Sequence, residues 1–281
     1  MRQFARPIKR VVIKLGSSQI VDEDLKPKLQ DLKKLAAQVA ILRKSHIEVV
    51  IVSSGAIALG MGELNESKRP TQLSDLQARA AIGQAKLMRL YSEIFGKVGL
   101  KCAQVLLTWD DFDNRSRFNN ARATLGSILE QGVVPVINEN DTTSTEEIKF
   151  GDNDKLSALV ASLLHADMLV ILSDVEGVYD ANKKVFEEVA EITDEIEGVV
   201  GGTKNVNIAR GGMKAKIEAV KIAIVARVPC IITAGNTKDV LLRLVKGERL
   251  GTYFIAKKDK IFDGDLEHEF IRSYFKNRAN R

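Results

Sequence analysis

Six short runs rich in Val, Ile and Leu recur along the chain, separated by segments with helical spacing of apolar residues, and this alternation constrains the fold most. Arg10–Leu15, Val49–Val52, Cys102–Leu107, Val133–Ile137, Met168–Leu172 and Cys230–Thr233 read as strands. Leu25, Leu29, Leu32, Leu35, Ala36, Val39 and Leu42 recur at helical spacing, which predicts a helix with one apolar face. Further helices are predicted over Leu76–Phe95, Asn119–Glu130, Leu156–Leu164 and Lys214–Arg227. Strands this apolar, joined through helices, predict an α/β fold with a mostly parallel sheet covered on both faces. Right-handed crossovers then bring the strand-end loops to one edge, where ligands bind.

A chain of 281 residues can bury a core as one large α/β domain or two fused lobes, and a break near Ala166–Asp167 separates a front from a back half. Glu187–Ala209, acidic and then Gly-rich, reads as an excursion with a loop at Gly198–Thr203. Residues 257–281 read as a terminal helix or a loose tail. No apolar run reaches the roughly 18 residues of a membrane span, and the N-terminus lacks the apolar core of a signal peptide. A cytoplasmic protein is expected. Cys102 and Cys230 have no metal or redox spacing and are expected to be buried thiols. The net charge of +5 comes from residues 1–14, with five basic and no acidic residues. The expectation is solvated chain ends, with a phosphate-binding surface near Lys14.

The densest chemistry follows the fourth strand. Ile137-Asn138-Glu139-Asn140-Asp141 is followed, after a Thr/Ser-rich stretch, by Gly151-Asp152-Asn153-Asp154-Lys155. So many carboxylates and carboxamides at a buried strand end are costly unless a ligand uses them. A small polar substrate is expected here. Lys14-Leu15-Gly16-Ser17-Ser18 ends the first strand in a turn suited to cradling phosphate, with backbone N–H groups and an ammonium. Ser53-Ser54-Gly55 is a second small-residue turn. Arg210-Gly211-Gly212-Met213-Lys214-Ala215-Lys216 places glycines and lysines before and within a helix start, and Ser173-Asp174 ends another strand. Neither a Walker A loop nor a Gly-x-Gly-x-x-Gly fingerprint occurs. Lysines at two separated turns and an amide/carboxylate pocket are equipment for phosphoryl transfer.

These ordered motifs, VVIKLGSS, VVIVSSGAIALG, INEND with GDNDKLSA, SD with GVY, GGMKAK and ITAGN, resemble the amino acid kinase family and, within it, the glutamate 5-kinases. The resemblance runs from about Val11 to Phe254. It implies a three-layer αβα sandwich over residues 1–256, with a glutamate-binding lobe at about 8–166 and an ATP-binding lobe at about 167–256. The usual C-terminal PUA domain is expected to be absent. The implied reaction is transfer of the γ-phosphoryl of ATP, carrying Mg²⁺, to the side-chain carboxylate of L-glutamate, the first step of proline synthesis. By resemblance, Lys14, Lys216 and Asp154 are catalytic, with Asp154 holding the lysines. Ser54, Gly55, Asn138, Asp141, Asp152 and Asn153 bind glutamate. Lys14, Gly16, Ser17, Ser173, Asp174, Arg210, Gly211, Gly212, Met213, Lys214, Ala215 and Lys216 bind ATP. No protein-held metal is expected, because Mg²⁺ arrives on the nucleotide. Proline as an inhibitor and a dimer or tetramer are also implied; membrane and nucleic-acid partners are not. Relatives often carry Thr or Ser at Arg210 and Ser-Thr at Lys214-Ala215, so these positions contact ATP differently or face solvent.

Two alternatives stay open. One is another kinase of the same family, for acetylglutamate, aspartate or UMP. The other is a non-catalytic nucleotide- or RNA-binding protein, supported only by the basic N-terminus.

Overall fold

The computed structural model describes residues 1–143, 153–193, 196, 198, 209–256 and 268–269, with the backbone alone for 209–211. The strands are β1 (Arg10–Leu15), β2 (Glu48–Ser53), β3 (Cys102–Leu107), β4 (Val134–Glu139), β5 (Met168–Ser173), β6 (Glu188–Val189), β7 (Cys230–Ala234) and β8 (Thr252–Phe254). They form one sheet in the order β3-β4-β2-β1-β5-β7-β8-β6. Every pairing is parallel except β7 with β8. The chain lays β2 on one side of β1 and returns with β5 on the other, and the sheet runs unbroken past Ala166–Asp167. The reversal makes the carboxyl end of β1 the crevice of the fold.

Period-two alternation divides the strand side chains between two cores. Val11, Ile13, Val49, Ile51 and Val170 face one, and Val12, Val50, Val52, Leu169 and Ile171 the other. The helices are α1 (Ser17–Ile20), α2 (Leu29–Lys44), α3 (Ala56–Glu63), α4 (Leu73–Gly96), α5 (Asp110–Asp113), α6 (Arg115–Glu130), α7 (Asp154–Leu163), α8 (Ala209–Val225) and α9 (Val240–Val245). Residues of α2, α4 and α9 fill the first core, and residues of α6, α7 and α8 the second. Helix α7 is apolar nearly all round, and every residue but Lys155 is buried. That is the pattern of a helix enclosed by others and a sheet.

Several boundaries differ from the sequence reading for identifiable reasons. Helix α2 starts at Leu29 because Leu25 has φ +60° inside a turn closed by the Val21–Pro27 bridge. Strand β4 continues through Asn138 and Glu139, whose polar side chains are buried at its end. The basic N-terminus is not merely solvated. The Arg2 guanidinium is buried and donates to the carbonyls of Glu187, Leu250 and Gly251 at 2.8–2.9 Å, while stacking over Tyr253. Arg6 pairs with Asp167 at 2.8 Å, and Arg10 with Glu48 at 2.6 Å. Cys230 is buried, but Cys102 is only half-buried, since β3 is an edge strand. Of the loop expected at Gly198–Thr203 only Gly198 is described, and nearly all of 257–281 lies outside the described residues; His268 packs its ring against Phe118 at 5.2 Å.

Helices α3 and α4 approach too closely for side chains at their crossing. A Cβ on Gly83 would overlap the carbonyl oxygen of Ala56, and one on Gly60 the carbonyl of Arg79. Backbone cannot yield as a side chain would. Gly83→Ala is therefore expected to lower the unfolding free energy by about 1–3 kcal/mol in urea denaturation. The control is Gly126→Ala in α6, where nothing lies within 4 Å of the added methyl. That change is expected to stabilise by about 0.5–1 kcal/mol.

Candidate active site

Lys14 is the next-to-last residue of β1 and shares the face of Val12, toward α7 and α8. Its Nζ lies 2.6 Å from Asp154 Oδ1, and Lys216 Nζ lies 3.0 Å from Asp154 Oδ2. The Asp154 side chain is 0% exposed, Lys14 4% and Lys216 12%. Asp154 sits in the first turn of α7, where the helix dipole favours a carboxylate. Lys216 comes from the second turn of α8 and also donates to the Gly212 carbonyl at 3.4 Å. Within this trio two ammonium groups face one carboxylate in a largely water-excluded place, which suits an anion. Gly16 follows immediately: a methyl there would sit 3.8 Å from Lys14 Nζ, so its absence keeps the approach open.

A carboxamide cluster adjoins the trio. Asn153 is the N-cap residue of α7, yet its side chain makes no cap hydrogen bond. Forgoing a cap costs about 1 kcal/mol. Asn153 Nδ2 instead faces Asn138 Oδ1 at 2.7 Å, Ser54 Oγ at 3.0 Å and the Ser53 carbonyl at 3.2 Å. Gly55, with φ +105°, turns the chain from β2 into α3, and a Cβ there would come within 3.0 Å of Ile20. Only glycine meets both conditions without strain. Beneath the turn, the buried Tyr91 hydroxyl donates to Ser53 Oγ at 2.9 Å, and burial pushes its pKa up.

Asp141 is buried just past β4, and its pKa is pushed up to about 7. Burial is the main cause, the Glu139 carboxylate adds to it, and Arg69 opposes both. A group poised this way gains from an ammonium ligand, which would favour its charged form.

The structure thus brings Lys14, Asp154 and Lys216 together at one point, and Ser54, Asn138 and Asn153 at the next. Ser17 opens α1 and is exposed. Ser173 ends β5 and donates its hydroxyl to Asp174 at 3.0 Å, with Asp174 exposed. The stretch Arg210–Lys216 was expected to lie partly before a helix, but it falls wholly within α8. Met213 packs on the second core and Lys214 is exposed. Gly212 and Ala215 are half-buried. Only the backbone of Arg210 and Gly211 is described, and Asp152 lies outside the described residues. Sequence reading missed Gln84 and Tyr91, which reach the site from α4, and gave no role to Glu139. A polar residue among the apolar positions of α4 was the only available signal for Gln84.

A profile for the amino acid kinase family matches residues 9–234. The chain belongs to that family. Among its relatives is the glutamate 5-kinase of Carboxydothermus hydrogenoformans, 45% identical over 92% of this chain and 71% of its own length. The glutamate 5-kinase of Citrifermentans bemidjiense is 45% identical over 92% and 71%. That of Syntrophotalea carbinolica is 48% identical over 88% and 68%. The match to an amino acid kinase profile spans every residue of the lysine–aspartate trio.

The raised pKa of Asp141 has a sign that can be checked. Between its ordinary value near 4 and about 7, the folded chain holds a proton the unfolded chain has lost, so stability falls as pH rises. This group's contribution is complete below about pH 4 and lost as pH rises through about 7. Asp141→Asn is expected to flatten that part of the melting-temperature profile between pH 5 and 8; an unchanged profile would contradict the assignment.

Proposed function

We propose that this chain is an ATP-dependent kinase of the side-chain carboxylate of L-glutamate, forming L-glutamyl 5-phosphate, the first step of proline synthesis. The observation that carries the reading is Asp154, which holds two ammonium groups at 2.6 and 3.0 Å beside a buried carboxamide pocket. The pocket takes the amino acid and the lysines take the transferring phosphoryl group. The names of the relatives supply the substrate. Proline sensitivity and assembly as a dimer or tetramer belong to the same proposal and rest on the resemblance alone.

This reading assigns roles without a general base. The acceptor carboxylate is ionised at neutral pH, about three units above its pKa of ~4.3. One of its oxygens forms a bond to the γ-phosphorus as the bond to the β-bridging oxygen breaks, and ADP leaves with that electron pair. The obstacle is repulsion between two anions, roughly 4 kcal/mol for one charge pair at 4 Å and an effective dielectric of 20. Lys14 and Lys216 offset it, and both are already aligned by Asp154, so little reorganisation is needed during transfer. Asp141, with Asn153, receives the amino group. Ser173 and Asp174 lie at the end of β5, on the nucleotide side. Asp154 is already engaged by two ammonium groups, so the described residues would meet Mg²⁺ as the counter-ion of the nucleotide, where it would neutralise phosphate charge.

The RNA-binding alternative loses its support, because Arg2, Arg6 and Arg10 are already engaged with carbonyl and carboxylate groups of the chain. The deciding test traps the acyl phosphate as a hydroxamate with ATP, Mg²⁺ and L-glutamate. N-acetylglutamate, aspartate and UMP serve as competing acceptors. Faster turnover with any of these three would overturn the substrate. Lys216→Ala is expected to lower kcat by about 10²–10³-fold, while the melting temperature changes little because Asp154 keeps Lys14. A kcat within threefold of the parent would remove Lys216 from the chemistry.

A further inference from the structure

Gln84 lies on α4 beside Gly83, where the helix approaches α3 most closely. From there its side chain reaches the end of β4. Gln84 Oε1 accepts from Asn138 Nδ2 at 2.9 Å, and its Nε2 donates to the exposed Gln104 at 3.1 Å. The direction of this chain of amides is fixed by backbone groups. The Glu139 N–H donates to Asn138 Oδ1 at 2.9 Å, and the Ser53 carbonyl accepts from Asn153 Nδ2 at 3.2 Å. A backbone N–H can only donate and a carbonyl can only accept, so neither amide can be reversed. Asn138 Nδ2 must therefore face an acceptor, and Gln84 supplies it. At the other end, Asn153 Oδ1 is left as a buried acceptor, on a residue 1% exposed, with no hydrogen-bond donor among the described residues. Buried acceptors are seldom left so unless a ligand or water completes them.

We propose that Gln84 is a positioning residue that sets selectivity for an acceptor bearing an α-ammonium group. It holds Asn138, and through Asn138 it holds Asn153 with Oδ1 presented to a donor that no described residue supplies. The inference rests on reading this pocket as the glutamate site. Gln84 touches no substrate; it acts two hydrogen bonds away. Removing its acceptor leaves Asn138 Nδ2 buried without a partner; the backbone contacts forbid a flip, so the amide tilts toward water and its 2.7 Å contact with Asn153 loosens.

The test compares the parent chain with Gln84→Met, similar in volume but without the amide, and with Gln84→Glu, which keeps an oxygen facing Asn138. KM is measured for L-glutamate and for ATP. Glutarate, which has the distal carboxylate but no ammonium, is measured as a competitive inhibitor. Gln84→Met is expected to raise the L-glutamate KM about tenfold, the loss of one hydrogen bond to a charged group. The ATP KM and the glutarate Ki should stay within about twofold, so discrimination between the two acids falls about tenfold. Gln84→Glu is expected to return the L-glutamate KM to within about threefold of the parent, since its carboxylate still accepts from Asn138. Unchanged discrimination in Gln84→Met, or equal losses for L-glutamate, glutarate and ATP, would overturn the proposal while leaving the acceptor site intact. A parent chain that transfers nothing to L-glutamate would remove the acceptor site and this proposal with it.

Discussion

The rest of the structure is arranged around one carboxylate that has given up water entirely. Asp154 contacts Lys14 from β1 and Lys216 from α8, and so ties the first strand to two helices of the second core. Burying three charges costs several kcal/mol per ion before attraction returns any of it, and well-packed apolar residues often serve stability as well or better. Such a trio is therefore a poor stabilising device and a good chemical one. Its surroundings agree. The Cys230 thiol on β7 is pushed well up, first by burial and then by Asp154, and stays neutral in the same core. The carboxylate thus aims two cations across a crevice that the sheet topology had already placed between β1 and its neighbours.

A second arrangement keeps unlike charges apart. The positive trio centres on Asp154, and the acidic pair lies at the other end, Glu139 closing β4 and Asp141 just past it. Asn138 and Asn153 stand between them as neutral amides joined at 2.7 Å. An amino acid has the same layout in reverse, with an ammonium at one end and a distal carboxylate at the other. A pocket that is acidic at one end and basic at the other selects orientation as well as identity. Neutral amides between the ends set the distance without adding charge that would repel either group.

The strands were legible because they are apolar on both faces, and β1 and β3 run over the residues their composition marks. The lysine–aspartate trio was legible through motif order, although no spacing rule reveals that residues 14, 154 and 216 meet. Where reading failed, tertiary context had overridden local rules. Leu25 has the spacing of a helix but sits in a turn with positive φ. Asn153 occupies the position of a helix cap, yet its side chain serves the pocket. Arg2, whose side chain would ordinarily be solvated, instead satisfies carbonyls more than 180 residues away. Gln84 was illegible for a related reason: its partner belongs to a strand that follows it by an edge strand and two helices.

The Arg2 contact also bears on how the chain is finished. Its guanidinium closes on the carbonyls of Leu250 and Gly251, with sequence separations of 248 and 249 residues. Arg2 therefore waits for these partners until the residues around β8 have been made. Contacts this distant in sequence carry a loop-closure cost and form late. The far edge of the sheet, β8 with β6, is bridged by Arg2, which joins carbonyls beside both strands. Arg2 thus acts as a latch on an otherwise assembled body, closing that edge after the crevice at the end of β1 has formed.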